Sequence, residues 1–323
     1  MKIEQIAGGG YTASIHLSRG ANCISLRHET LGVSLLREPD YSRELDNPYL
    51  YGMPVLFPVN RISGGRFEFD GRVYELPINE EKTGCTLHGE LHAMEFRVDE
   101  QNADSITCSY RSNGNYAYMP HDFSLRIQYS LSAEGMHQKT TVINHSDCRM
   151  PLFLGFHTTF NLAFAKNGKP EHCLVFADIA QEIERNMTVY LPTGKVPEFD
   201  AVSRNLSRGA LDPTVGAVSR HYRAAGGGKM GIFDPDAKLL LRYENDEKFG
   251  WRLIYNGDGT QYICLEPQTC MANCPNSPFD REFTGFSWLE PREEREFISH
   301  ISCTPATMQE YEEYIKNGTK PKK

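Results

Sequence analysis

Four stretches of this chain carry polar groups that a plain hydrophobic core does not need. The first is FLGFHTTFNL, residues 153–162, where His157 stands among Phe153, Leu154, Phe156, Phe160 and Leu162. An imidazole that follows an apolar strand is either a hydrogen-bonded core group or a proton donor and acceptor, since its ordinary pKa lies near 6.5. The second is QYICLEPQT, in which Glu266 closes an apolar run just before Pro267. Proline donates nothing to a strand ladder, so the strand is expected to stop there and leave the carboxylate at its rim. Such a carboxylate is either a partly buried base with a raised pKa or the partner of an arginine. The third is MPVLFPVNRISGG, which offers Asn60 and Arg61, and the fourth is TLHGELH, with His88 and His92. A guanidinium fork suits hydroxyls and carboxylates, and equally a surface ion pair. His88 fits a hydroxyl ligand and a hydrogen-bonded loop residue alike. An imidazole and a carboxylate facing one substrate form an acid/base pair, but nothing local brings His157 to Glu266.

Other chemistries lack their residues. HxxxH in TLHGELH has no helical period and no HExxH glutamate, so no metal is expected there. Cys264, Cys270 and Cys274 fit no common zinc spacing and read as free thiols. There is no GxxxxGK[ST], no GxGxxG between strand and helix, and no GxSxG. Asp234 and Asp236 in FDPDAK read as a turn, which leaves a glycosidase without its second carboxylate.

The elements that must position these groups are strands. In DFSLRIQYSL, Phe123, Leu125, Ile127, Tyr129 and Leu131 alternate with mostly polar residues, the period of a half-buried strand. RFEFDGRVYEL sets an Asp70-Gly71 turn between two short runs, a hairpin signal. ANCISLRH, MPLFLGF, HCLVFADI, AKLLLRY, GWRLIYN, QYICLEP and REFISHIS are further strands. One helix is predicted, in TPATMQEYEEYIKNG. Thr304 before Pro305, or Thr307 with Glu310, caps its start and Gly318 stops it. Gly8 to Gly10 read as a flexible start, residues 205–230 as a long surface excursion and the tail KPKK as a frayed end. Many short strands with few helices give an all-β class, a large antiparallel sandwich or barrel. No linker divides residues 1–323, so one domain is expected.

The chain has 323 residues, 40% of them apolar, with a net charge of −8, enough for a sizeable core and unfavourable for phosphate backbones or anionic membranes. No nucleic-acid or membrane partner is expected. The N-terminus lacks the apolar stretch of a signal peptide, and no window reaches a membrane span. Nine scattered cysteines, an odd number, suit a reducing compartment and hence the cytoplasm. An exposed sheet edge leaves a homodimer open.

Together, and in order, GMPVLFPVNRISGGRFEFDGRVYEL, LHGELH, GFHTTFNL, LPTGKV, CLEPQT and the late LEPREE resemble the aldose 1-epimerase, or galactose mutarotase, family as a divergent member. The similarity runs from about Gly20 to about Ile301. The resemblance implies a β-sandwich of the supersandwich type with an open cleft on the sheet. It implies interconversion of the α and β anomers of a free monosaccharide without cofactor or metal. Carried over motif by motif, Glu266 is the base at the C1 hydroxyl and His157 the acid at the ring oxygen. Arg61 and His88 bind sugar hydroxyls, with Asn60 as a further candidate. Sugars also favour aromatic faces, and Phe57, Phe156, Phe160, Tyr190 and Tyr255 are available. The chain departs from the family twice. AVSRHYRA has Ser219, Arg220 and His221 where galactose mutarotases carry a sugar-binding aspartate, and TTFNL follows His157 where many members have a Tyr before Phe-Asn. The missing acid unsettles galactose or glucose as substrate. A hexose 6-phosphate held by Arg220, Arg223 and Lys229 is one alternative, and a non-catalytic carbohydrate-binding module is another.

Overall fold

Strand period two becomes antiparallel pairing throughout the chain. The computed structural model describes residues 2–318, apart from 43, 44, 46, 167 and 258; the KPKK tail lies outside the described residues. Two large sheets dominate. The first has eight strands in the order 97–101, 105–111, 123–132, 135–144, 294–305, 239–245, 229–234 and 174–177. Its strand Phe123–Ser132 buries Phe123, Leu125, Ile127, Tyr129 and Leu131, the alternation seen in the sequence. The second sheet runs 179–183, 219–224, 251–255, 262–268, 155–156 and 55–56, with 159–161 also on 262–268.

The sheets face each other across one apolar cluster. Phe57 lies 5.1 Å from Phe123 and Phe160 lies 5.5 Å from Tyr243, ring centre to ring centre, while Thr158 Oγ1 and Tyr243 OH meet at 3.0 Å. Strands 3–8, 11–16, 22–28 and 33–34 form a four-stranded sheet. It is pinned by Tyr11, whose hydroxyl donates to Cys303 O at 3.2 Å and accepts from Cys303 N at 2.9 Å. The Asp70-Gly71 hairpin forms as expected, with φ of 53° and 73°.

The C-terminal helix, Met308–Gly318, begins after Thr307. Thr307 N donates to Glu310 Oε2 at 2.7 Å and Glu310 N to Thr307 Oγ1 at 3.3 Å, a reciprocal cap. Two shorter helices escaped the sequence reading, Ala201–Ser207 and Arg281–Thr284, capped by Asp200 and Asp280.

Three expectations are corrected. Residues 205–230 are not a surface excursion: they include the strand Ser219–Ala224, inside the second sheet, because His221 and Tyr222 are buried. Gly8 to Gly10 form a tight hairpin rather than a loose start. Gly9 has φ of 60°, and a Cβ there would meet Ser132 C at 1.9 Å. Pro267 does not end its strand, which continues to Gln268. Leu265 N donates to Thr158 O and Thr269 N to Leu154 O. The N–H that Pro267 lacks therefore falls between those two rungs, opposite Phe156, where the neighbouring segment breaks off before resuming at Thr159.

Candidate active site

That missing rung sits beside His157. Gly155 pairs with Gln268 and Thr159 with Cys264, so the register between them sets His157 opposite Glu266. Their Nε2 and Oε1 atoms lie 3.3 Å apart, on residues that are 7% and 0% exposed. Alternation along 262–268 explains the carboxylate's direction. Ile263 and Leu265 join the main core, whereas Glu266 lines a cleft of about 880 Å³.

The sequence-derived candidates converge here. Asn60, Arg61, His88, His157 and Glu266 all line the cleft. Asn60 and His88 hold left-handed backbone conformations, φ 60° and 59°, a strain more often found at functional sites. Asn60 N donates to His88 Nδ1 at 3.1 Å, Asn60 Nδ2 to Gln268 Oε1 at 3.1 Å, and Gln268 Nε2 to Glu266 Oε2 at 3.2 Å. A hydrogen-bonded chain thus runs from His88 to the carboxylate and fixes one of its oxygens. The other, Oε1, is buried without a hydrogen-bond partner and approaches His157 only outside hydrogen-bond geometry. Arg61 makes a two-pronged pair with Glu80, both bonds 2.6 Å, and its guanidinium lies 4.6 Å over Tyr190.

Burial governs the titration. It pushes Glu266 up to about 8, opposed by the Gln268 hydrogen bond and then by Arg185 and Arg61. It pulls His157 down to about 4 and His88 well below the ordinary histidine value. Between those limits the His157–Glu266 pair holds one proton.

Three further lining groups carry no motif and were missed. Tyr49 sits 6.0 Å from His157, 5.0 Å from His88 and 4.4 Å from His92, ring centre to ring centre, a wall beside these three imidazoles. Arg185, buried, donates to Ser219 O and Oγ at 2.7 and 2.9 Å. It makes no ion pair among the described residues. Glu182 takes Arg220 at 2.6 Å and Ser203 Oγ at 2.6 Å. Charge in the alternating run IAQEI was the one available signal for Glu182; for Tyr49 there was none.

At the strand that lacks the family's aspartate, Ser219 and Arg220 face the cleft and His221 is buried beneath it, 5.0 Å from Trp251. Arg220 is held by Glu182 and Asp200. Arg223 lies over Phe283 and Lys229 over Tyr314, and neither lines the cleft. Of the aromatic candidates, Tyr190 and Tyr255 line it, while Phe57, Phe156 and Phe160 are core residues. His92 packs on Tyr49 outside the lining.

The aldose 1-epimerase family model matches residues 1–302. The chain belongs to the aldose 1-epimerase family. The uncharacterized protein YihR of Escherichia coli is 25% identical over 286 residues, covering 85% of this chain and 86% of that protein. A probable aldose 1-epimerase of Arthroderma benhamiae is 28% identical over 249 residues, 70% of this chain and 55% of that protein. Among solved structures, a galactose mutarotase-like protein from Clostridium acetobutylicum superposes with a TM-score of 0.88 at 27% identity, covering 94% of this chain and 98% of that one. The fold is thus that of the galactose mutarotase-like β-sandwiches, it ends in a C-terminal helix, and the low identities mark a divergent member.

Proposed function

We propose that this chain is a mutarotase that interconverts the anomers of a free aldose by ring opening and closure. One observation carries the reading: the sheet register that sets His157 against Glu266 at 3.3 Å on the cleft floor. Glu266 Oε1, buried and unpartnered, takes the proton of the C1 hydroxyl. The C1–ring oxygen bond breaks, its electron pair goes to the ring oxygen, and His157 Nε2 protonates that oxygen. Rotation about C1–C2 and the reverse steps give the other anomer, so acid and base exchange roles. Burial disfavours either charge alone. Moving the single proton from carboxyl to imidazole creates an ion pair whose attraction at 3.3 Å offsets that penalty. Arg61, His88 and Asn60 are the groups for sugar hydroxyls, with Tyr190 and Tyr255 for its apolar face.

The sugar phosphate alternative loses its support, because Arg220 is already neutralised and Arg223 and Lys229 stand outside the cleft. A purely binding module would not need both members of an acid/base pair. A reducing compartment such as the cytoplasm agrees with nine free cysteines. Among the described residues no helix is long and apolar enough to cross a membrane.

The test is polarimetry or saturation-transfer NMR on freshly dissolved pentoses, hexoses and deoxy sugars. At least one should equilibrate well above the buffer rate, and Glu266→Gln should remove about 10²–10⁴-fold of that rate. A panel in which nothing exceeds buffer overturns the reading.

A further inference from the structure

Cys264 stands two residues before Glu266 on the same strand, and hence on the same face. It is fully buried, and its register partner is Thr159, two residues beyond His157. One donor atom each from His157, Cys264 and Glu266 lies within 4.8 Å of the other two. An imidazole nitrogen, a thiolate sulfur and a carboxylate oxygen form a donor set suited to zinc and other borderline divalent ions.

The geometry points to an inhibitory site for such an ion, closed by His157 Nε2, Cys264 Sγ and Glu266 Oε1, with the cleft supplying a fourth, exchangeable ligand. With metal–donor bonds of about 2.0–2.3 Å, tetrahedral donors stand about 3.4 Å apart. The 3.3 Å edge between His157 and Glu266 already has that length. The edges to sulfur must close by at most about 1.4 Å, within reach of side-chain rotation. Outer contacts support the arrangement. Gln268 Nε2 holds the other carboxylate oxygen at 3.2 Å, and Thr159 Oγ1 meets the sulfur at 3.4 Å. Glu266 Oε1 is a fully buried acceptor without a hydrogen-bond partner, directed at this point. Cys264 is outside the cleft lining and takes no part in the acid/base chemistry. An ion seated here would occupy both groups that must exchange protons with the sugar. The inhibitory part of the inference rests on the mutarotase reading, and the binding part does not.

Cobalt(II) titrated into the metal-free chain is the direct probe, because a cobalt–thiolate bond gives its own charge-transfer absorption. One equivalent should develop that band, and zinc should displace it. Cys264→Ser should lose the band and bind zinc at least tenfold more weakly by calorimetry, with an unchanged thermal midpoint reporting an intact fold; Cys264→Ala is the second variant should serine unfold the chain. Zinc should inhibit anomerisation competitively with the sugar, and less so in the Cys264 variants. His137 and His300, stacked at 4.2 Å on the other large sheet, are the competing ligands. Zinc affinity unchanged in both Cys264 variants, or abolished by His300→Ala, overturns the site. Absence of anomerisation with the cobalt band intact would count against the mutarotase reading and leave metal binding standing.

Discussion

At the scale of single residues, burial is what suits His157 and Glu266 to the proposed proton exchange. A solvated histidine and glutamate would titrate about two units apart, near 6.5 and 4.3, in the order that empties the carboxylate first. In the cleft the limits move to about 4 and about 8, so a one-proton pair persists across the neutral range. The expected kcat/KM profile is a bell. It falls below about 4, where the pair gains a second proton and loses its base, and above about 8, where it loses its acid. Arg185 holds the Glu266 value down, so Arg185→Met should move the upper limb to higher pH and leave the lower limb in place. An unmoved upper limb would show that Arg185 acts on the sugar or on packing instead. A rate titration at fixed substrate, for wild type and variant, decides this.

At the scale of elements, turns deliver the groups proposed to face the sugar. His88 follows the strand Cys85–Leu87 in a left-handed conformation, and Gly89 continues it at φ of 59°. A Cβ on Gly89 would come within 2.4 Å of Phe57 O and 2.6 Å of Tyr116 OH. Gly89→Ala should cost about 1–2 kcal/mol from the left-handed backbone alone. It should also displace His88, raising KM by more than it lowers kcat. Thermal melting and steady-state anomerisation on one preparation check both parts, and an unchanged KM would remove His88 from sugar contact.

At the scale of the whole molecule, the same burial that tunes the cleft sets the acid limit of the fold. His16, His88, His121, His157 and His221 are buried, and burial lowers the pKa of each. A depressed value means that the unfolded chain binds more protons once pH falls below about 6.5, so stability present above that value is lost on acidification. Each such group contributes up to about 1.4 kcal/mol per pH unit until its folded value is passed. Glu266 acts the other way, with its protonated form favoured up to about 8. Its contribution is present at low pH and fades between about 4.3 and 8. The Asp234 carboxyl, also buried and raised by burial, acts in the same direction as Glu266, and two carboxyls against five imidazoles leave a net loss on acidification. Calorimetric midpoints should fall steeply between about pH 6.5 and 4, and a flat profile there would mean that these imidazoles are hydrated.

By itself the sequence determined the strand alternation, the Asp70-Gly71 turn, the C-terminal helix with Thr307 as one of two possible caps, and the five residues that converge on the cleft. These are short-range properties, set by side-chain period, left-handed turn chemistry and motif order. The misreadings came where long-range contact overrides them. Pro267 looked like a stop because its missing N–H is local, whereas the gap it faces at Phe156 belongs to another segment. Ser219–Ala224 looked like a loop because its arginines are local, whereas the burial of His221 and Tyr222 is imposed by the sheet. Only the tertiary structure decided that His157 faces Glu266, that Glu182 answers Arg220 and that Cys264 stands within reach of the pair. Register is the physical reason. A shift of one residue would turn Glu266 away from the cleft, and what fixes that register is the packing of both sheets rather than any stretch of sequence.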